Sequence, residues 1–290
     1  MMKTMIIGAN GALGTDLMQQ IENPIACTHA DLDITSFDEV DKLLAAVKPT
    51  HVVNTAAYHN VPACEDHYQQ AFEVNAIGAR NLAIACKNRR IHLCHLSTDY
   101  VFDGRTKKPY TESDLPAPLS TYAITKLAGE HMVQAYGSKD ASIVRSCGLY
   151  GAVPTRAKGG NFVTTMVHLG RTRDRVTVVN DEWVAPTYTL DLARAIGLLL
   201  SSKGKGIFHI TQSGRASWFE FARVIFDELR LPAKLEPIAA YDFQSKVQRP
   251  AFSVLDNSRF NQLTGEPMRH WEEALRDHLR DMVARGIFSR

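Results

Sequence analysis

The strongest constraint on the fold lies near the start of the chain, where the apolar run Met5-Ile6-Ile7 feeds directly into Gly8-Ala9-Asn10-Gly11-Ala12-Leu13-Gly14. A short apolar run of this kind reads as a buried strand, and residues 11–21 behind it open a helix. Glycines at this spacing remove the Cβ atoms that would hold a diphosphate away from backbone N–H groups and from the positive end of the helix. The GxxGxxG spacing is weak by itself. The strand before it and the helix after it turn it into a dinucleotide-binding signal.

The rest of the first half repeats the pattern. Apolar runs at 24–27, 51–54, 91–96 and 141–145 read as strands. Helix-period stretches at 40–47, 71–87 and 120–136 lie between them. Such alternation predicts a parallel sheet with helices on both faces, and ligands then bind at the carboxyl ends of the strands. After Tyr150 the pattern loosens. A Gly-rich loop at 151–161 precedes helices at 161–169, 189–200, 217–229 and 271–285. The expected fold is α/β: a Rossmann-like doubly wound sheet over 1–150, joined by about 172–202, with 151–290 mainly a smaller α/β substrate lobe.

Composition then removes whole classes of function. Lys and Arg number 33 against 31 Asp and Glu, a net +2. That balance supplies no basic field for nucleic acid. No apolar run approaches the length needed to span a bilayer, and Met1–Ile7 lacks the apolar core and cleavage site of a signal peptide. The five cysteines lack CxxC spacing and read as reduced thiols of a cytoplasmic protein.

Chemistry enters with Tyr122-Ala-Ile-Thr-Lys126. On a helix this spacing puts both side chains on one face. A phenol ordinarily holds its proton to about pH 10, and a nearby ammonium favours the phenolate. Lys126 therefore stands where it can tune Tyr122 and hold ribose hydroxyls. Ser97-Thr98 follows the fourth strand, where a hydroxyl can bind a substrate carbonyl as charge develops on it. At the second strand, Cys27-Thr28-His29 offers neither an acid for a ribose nor an Arg for a 2′-phosphate, so discrimination between NADH and NADPH is expected to be modest. Asp31 and Asp33 come shortly after. Asp33-Ile34 is placed to flank an adenine, or Asp33 caps the next helix.

Other groups read as structural. His92 and His95 point to opposite faces of a strand, which argues against a metal pair. His59 and His67 suit a structural or substrate-edge role. Arg171, Arg173 and Arg175 suit a solvated surface. Trp218, Phe219 and Phe221 suit a core.

The chain resembles the dTDP-4-dehydrorhamnose reductases, an extended short-chain dehydrogenase/reductase family. The resemblance rests on residues 8–14, Leu32-Asp33-Ile34-Thr35, 53–58, Val74-Asn75-Ala76 and, most specifically, Thr98-Asp99-Tyr100-Val101-Phe102-Asp103-Gly104. It continues through 122–130, 160–163, 185–188, Ser217-Trp218 and 249–251. It implies hydride transfer to C4 of a dTDP-4-keto-6-deoxy-hexose, with NADPH or NADH as cofactor and NADP favoured. In that scheme Tyr122 donates the proton, Lys126 tunes it and Thr98 binds the carbonyl. Gly8, Asn10, Gly11, Ala12, Leu13, Gly14, Asp33, Ile34, Ala56, Ala57, Tyr58, Asn75 and Ser97 line the cofactor, with Tyr122 and Lys126. His59, Val61, Asp99, Tyr100, Asn161, Trp183 and Arg249 face the sugar nucleotide, with Thr98. Some family members dimerise with help from Mg²⁺, so the resemblance admits a homodimer and that ion, although no spacing here shows a metal site.

Two positions depart from the family pattern. Gly148 stands where a Trp is usual, and His59 where a small hydroxyl residue is usual. Trp183 is the expected replacement for the missing ring, or else it packs between lobes. Three functions stay open on the sequence: reductase of this or a related nucleotide 4-keto-deoxysugar, sugar epimerase on the same fold, and a cofactor-binding regulatory subunit similar to the methionine adenosyltransferase beta subunit.

Overall fold

The structure, a computed structural model, describes residues 2–153, 159–243 and 245–289. Strand β1 (Thr4–Ile7) is buried along its whole length. The glycine turn leads into α1 (Ala12–Gln20), and β2 (Ile25–Cys27) follows. Helix α2 (Phe37–Val47) starts where the Ser36 hydroxyl accepts from the Glu39 amide, and it buries Val40 and Leu44. Strand β3 (His51–Asn54) leads to α3 (Val61–Asp66) and α4 (Tyr68–Phe72). A π-helical turn at Glu73–Ile77 then passes into α5 (Gly78–Asn88). Strand β4 (His92–Thr98), α6 (Thr121–Tyr136) and β5 (Ser142–Ser146) complete the first half.

The second half contributes β6 (Leu149–Tyr150), α7 (Phe162–Thr172), β7 (Arg175–Val179), β8 (Trp183–Val184) and β9 (Thr187–Tyr188). Then come α8 (Thr189–Ser201), β10 (Gly206–His209), β11 (Ala216–Ser217) and α9 (Trp218–Leu229). Strand β12 (Lys234–Ile238), α10 (Ser258–Thr264) and α11 (Trp271–Ala284) close the chain.

The main sheet has six strands in the order β2-β1-β3-β4-β5-β10, and every pairing is parallel. One face packs α2, α5 and α6 around Val40, Leu44, Leu82 and Val133. The other packs α1 and α8 around Leu13, Leu17, Leu192 and Ile196. A separate core from α7, α9 and α11 gathers Val163, Met166, Phe221, Ile225, Leu275 and Leu279. The chain leaves β1 for β2 on one side and β3 on the other. A crevice therefore opens between the carboxyl ends of β1 and β3.

Three local differences from the sequence expectation bear on the site. Strand β4 extends to Thr98 rather than ending at Leu96, because Ser97 and Thr98 stay in register with Arg145 and Ser146. The helix expected over 71–87 contains the π turn, and α3 and α4 precede it. Strand β10 brings residues 206–209 back beside β5. No helix among the described residues is long and apolar enough to cross a membrane.

Candidate active site

The glycine turn forms a cradle at the crevice. Gly8 has φ +83°, and its amide and that of Ala9 donate to the Cys27 carbonyl at 2.9 and 3.1 Å. A Cβ at Gly8 would stand 2.6 Å from Thr55 Oγ1, and one at Gly14 would stand 2.1 Å from the Gly8 carbonyl oxygen. Helix α1 therefore abuts the turn backbone to backbone. Its N-cap, Gly11, offers no side-chain acceptor to the first-turn amides. Those amides suit an anion. Asn10 and Ala12 are half-buried at the turn, while the Leu13 side chain belongs to the core beneath it.

The opposite wall is the loop after β3. The Ala56 amide donates to Asn54 Oδ1 at 3.1 Å, and the Thr55 amide to the Ile7 carbonyl at 3.0 Å. Asn75, in the π turn, accepts from the Tyr58 amide at 2.8 Å and donates to its carbonyl and to Thr125 Oγ1, both at 3.0 Å. Asn75 thus clamps the Ala56-Ala57-Tyr58 segment to α6. π turns often sit at functional sites because the extra residue redirects a side chain.

At the end of β2 the structure adds what sequence reasoning missed. The Asp31 carboxylate folds back onto Thr28, taking its amide at 2.8 Å and its hydroxyl at 2.7 Å. These two bonds hold its proton affinity below the usual carboxylate range. A negative charge therefore stands where the strand itself carries no acid. Asp33 accepts from the Thr35 amide and hydroxyl at 2.9 and 2.8 Å, and Ser36 is the cap of α2. The Ile34 side chain is buried against Gly78.

The reacting groups meet at the carboxyl ends of β4 and β5. The Thr98 hydroxyl accepts from the Tyr100 amide at 3.2 Å, donates to Asp99 Oδ1 at 3.0 Å, and lies within hydrogen-bond reach of the Tyr122 hydroxyl. The Tyr122 ring is half-buried and meets Tyr100 edge-on, with centroids 6.0 Å apart. Burial holds the Tyr122 hydroxyl above its ordinary proton affinity, the Thr98 bond works against that, and Asp99 adds to it. Lys126 stands one helical turn beyond Tyr122 on α6 and is buried. Its ammonium donates to the Leu96 carbonyl at 2.6 Å, and burial lowers its proton affinity to about 8 while Glu130 opposes. A buried ammonium loses its proton more easily because the charged form lacks water.

Beneath these groups lies a buried ion pair. Arg145 donates to Glu130 through Nε at 2.9 Å and Nη2 at 2.6 Å. The Ser97 hydroxyl also donates to Glu130, so its bonding is directed into the sheet. His209 Nε2 lies 3.4 Å from Arg145 Nη1, and its Nδ1 lies 2.9 Å from the Tyr110 carbonyl.

The outer wall differs most from expectation. The tip of the Trp218 ring, not Trp183, stands 3.5 Å from where a Gly148 Cβ would be. Trp218 starts α9, capped by Ser217, and its indole bonds to the Glu182 carboxylate. Its ring packs against Phe162 with centroids 4.8 Å apart and planes tilted by 40°. The reading of Trp218 as core is thus half right: Phe221 is fully buried, while Trp218 reaches the wall. Trp183 lies under the Arg215 guanidinium at 4.9 Å and faces a separate cleft of about 350 Å³ with Gly104, Lys107, Asp181 and Phe252. Gly148 has φ +52°. That backbone conformation strains any residue with a Cβ.

Among the other expected contacts, Arg249 faces Tyr100 and Glu182, and its buried Nε finds no acceptor among the described residues. Asn161 caps α7, accepting from the Thr164 amide at 3.0 Å and donating to the Gly151 carbonyl at 3.0 Å, so both its polar ends are engaged within the chain. His59 Nδ1 lies 3.3 Å from the Ala57 carbonyl, and Val61 is buried at the start of α3. No group of three or more His, Cys, Asp or Glu among the described residues could hold a metal ion.

A dinucleotide cradle beside a Thr-Tyr-Lys cluster has clear counterparts. The sequence profile described as "RmlD substrate binding domain" matches residues 2–284. A dTDP-4-keto-6-deoxy-D-glucose reductase of Streptomyces niveus is 39% identical over 276 residues, covering 93% of this chain and 94% of that protein. The crystal structure of a dTDP-4-dehydrorhamnose reductase from Clostridium acetobutylicum superposes with a TM-score of 0.91 at 39% identity, over 97% of this chain and 100% of that one. A dTDP-4-dehydrorhamnose reductase from Bacillus anthracis, solved with NADP, gives 0.91 at 34% over 97% and 100%. With its family profile spanning almost the whole chain and its relatives matched end to end, the chain belongs to the RmlD substrate binding domain family.

Proposed function

We propose that the chain reduces the 4-keto group of a dTDP-4-keto-6-deoxy-hexose with NADPH or NADH, converting dTDP-4-dehydro-L-rhamnose to dTDP-L-rhamnose. The observation that carries this reading is the convergence of Thr98 and Tyr122 at the strand ends, above Lys126 and beside the glycine cradle. The cradle fits the diphosphate of a dinucleotide because a Cβ at Gly8 or Gly14 would fill it. When bound, the nicotinamide supplies the hydrogen and two electrons for the new C–H bond.

The chain's own residues do the rest. Tyr122 stays protonated at neutral pH, so its hydroxyl has a proton to give to a developing alkoxide. Lys126 spends one N–H on the Leu96 carbonyl and keeps the other two for ribose hydroxyls. Trp218 and Phe162 wall the sugar, and Arg249 Nε lacks an acceptor that a hydroxyl or phosphate oxygen would supply. The division into a dinucleotide-binding half and a substrate lobe follows from the same reading. All five cysteines are free and buried, which suits a reducing cytoplasm. A homodimer is the assembly implied by the family resemblance, and light scattering tests it.

The decisive assay follows reduced-cofactor oxidation with the dTDP-4-keto-6-deoxy-hexose and identifies the product. Net cofactor consumption with formation of the 4-hydroxy sugar is the expected result. Isomerised sugar without consumption, or cofactor binding without turnover, defeats the proposal.

A further inference from the structure

The cleft of about 350 Å³ beside Trp183 takes no part in the chemistry described above. Its aromatic wall is Trp183 and Phe252, and backbone bonds tie their segments together. The Trp183 amide donates to the Ala251 carbonyl at 2.8 Å, and the Ser253 amide to the Trp183 carbonyl at 2.9 Å. Gly104 closes one side. Its φ is +75°, and a Cβ there would stand 2.6 Å from the Ala251 nitrogen, so the turn that carries Lys107 presses on the same segment. Successive side chains of an extended segment point to opposite faces. Glu182 meets Trp218 and Arg249, and Trp183 therefore turns away from them. The cleft opens on the reverse side of that segment.

Charge at this cleft is unbalanced. Arg105 stands 3.5 Å from the Asp103 carboxylate, and Asp181 gives one oxygen to the Ala240 amide at 2.7 Å. Lys107 and Arg215 are both exposed and make no ion pair among the described residues. Arg215 is held nonetheless. Its guanidinium lies 4.9 Å from the Trp183 ring centroid and 5.9 Å from that of Phe252. Stacking on a ring fixes the guanidinium plane and leaves its N–H edge unspent. An arginine ordered by rings has already lost much of the freedom that holding an anion would otherwise cost.

The two cations select the ligand. They come from different segments, Lys107 as a point charge and Arg215 as a planar fork. A carboxylate has two oxygens, and one guanidinium fork satisfies both. A phosphomonoester has three terminal oxygens and up to two charges, enough to engage both cations. Small-molecule sites commonly enclose about 300–1,000 Å³, more than a bare phosphate fills. Here Trp183, Ala251 and Phe252 supply apolar surface for the rest of the molecule. We propose that this cleft is a second ligand site, one that binds an organic phosphomonoester. The phosphoryl group sits on Lys107 and Arg215, and the organic body lies against the apolar wall. A sugar or a nucleoside can carry that phosphoryl group, and the test separates the two. The site goes beyond the carbonyl-reduction reading and does not depend on it.

The test is calorimetric titration of the full chain in saturating NADP⁺ and dTDP, which fill the phosphate sites of the proposed reaction. Inorganic phosphate, glucose 1-phosphate, AMP and citrate are the probes. One equivalent of glucose 1-phosphate or AMP should bind about tenfold more tightly than inorganic phosphate, and the tighter of the two identifies the organic body. Lys107→Gln and Arg215→Gln should each weaken that binding by about tenfold, the worth of one charge-assisted hydrogen bond. Binding should also change the Trp183 emission. Trp183→Phe keeps a ring under Arg215, so it should bind the same probe with the emission of Trp218 and Trp271 unmoved. Binding that disappears once NADP⁺ and dTDP are present, unaltered affinity in both Gln variants, or an emission change that survives in Trp183→Phe overturns the site. Inorganic phosphate or citrate bound as tightly as the esters overturns the choice of ligand. Lys107 is exposed on a turn, so Lys107→Gln decides even where a change at the stacked rings unfolds the chain. A chain that binds the ester here but reduces no ketone defeats the functional reading and leaves the site standing.

Discussion

Tyr122 and Trp218 each carry one separable part of the chemistry. Tyr122→Phe keeps the ring against Tyr100 and removes only the proton donor. Turnover should fall by about 10²–10⁴-fold, the usual worth of general acid catalysis, with cofactor affinity unchanged in a fluorescence titration. Trp218→Ala opens the wall at Gly148 and frees the Glu182 carboxylate. KM for the sugar nucleotide should rise by roughly tenfold, as expected for a lost aromatic contact. Trp183→Ala should leave that KM alone, since its ring lies under Arg215. The reverse pattern would return Trp183 to the sugar. Asp31 acts on the cofactor instead. Its carboxylate at Thr28 opposes a 2′-phosphate, so Asp31→Asn should raise the NADPH to NADH ratio of kcat/KM. The gain should be only several-fold, because exposed charges are screened. An unchanged ratio removes Asp31 from cofactor choice.

The junction of β1, the glycine turn and α1 works as one element. Gly14 has no room for a Cβ, because the Gly8 carbonyl oxygen would lie 2.1 Å away. Gly14→Ala must push α1 off the turn. Overpacking of this kind costs about 1–3 kcal/mol, and the displaced helix N-terminus should bind the cofactor more weakly. Thermal unfolding and cofactor titration should therefore worsen together. A variant with wild-type cofactor affinity would show that the helix terminus is not the diphosphate site. Helix α6 is a second such element. Its N-cap Ser120 fixes the frame that sets Tyr122, Lys126 and Glu130 on successive turns facing β4 and β5.

Across the whole molecule, the Glu130–Arg145 pair ties α6 to the sheet, and its side chains are only 1% and 2% exposed. Ser97 from β4 and His209 from β10 join it. Burial and the Arg145 charge press the His209 proton affinity down to about 3, so the ring stays neutral and its Nε2 can accept from Arg145. Glu130→Ala leaves a buried guanidinium unpaired, which should cost about 3–5 kcal/mol. The urea midpoint should drop accordingly with the slope unchanged. A loss below about 1 kcal/mol would mean that water or a neighbour replaces the carboxylate. The same network passes directly beneath Lys126, so its loss should also lower kcat.

The sequence alone determined what depends on local order. Spacing of apolar runs marked the strands of the first half, because a sheet covered by helices on both faces buries its strands. Glycines at 8, 11 and 14 announced the cradle, because only a missing Cβ permits that approach. Tyr122 and Lys126 were legible because one helical turn separates them. The tertiary structure decided everything that depends on which residues meet across the chain. Asp31 reaches Thr28 through a loop, and no periodicity marks that return. The Trp218 ring faces Gly148 from a different lobe, and no spacing along the chain marks that meeting. Lys126 turns to the Leu96 carbonyl because a buried ammonium needs an acceptor. Cys147 and Ser253 converge on Asp99 from positions more than a hundred residues apart, a meeting that only folding can produce.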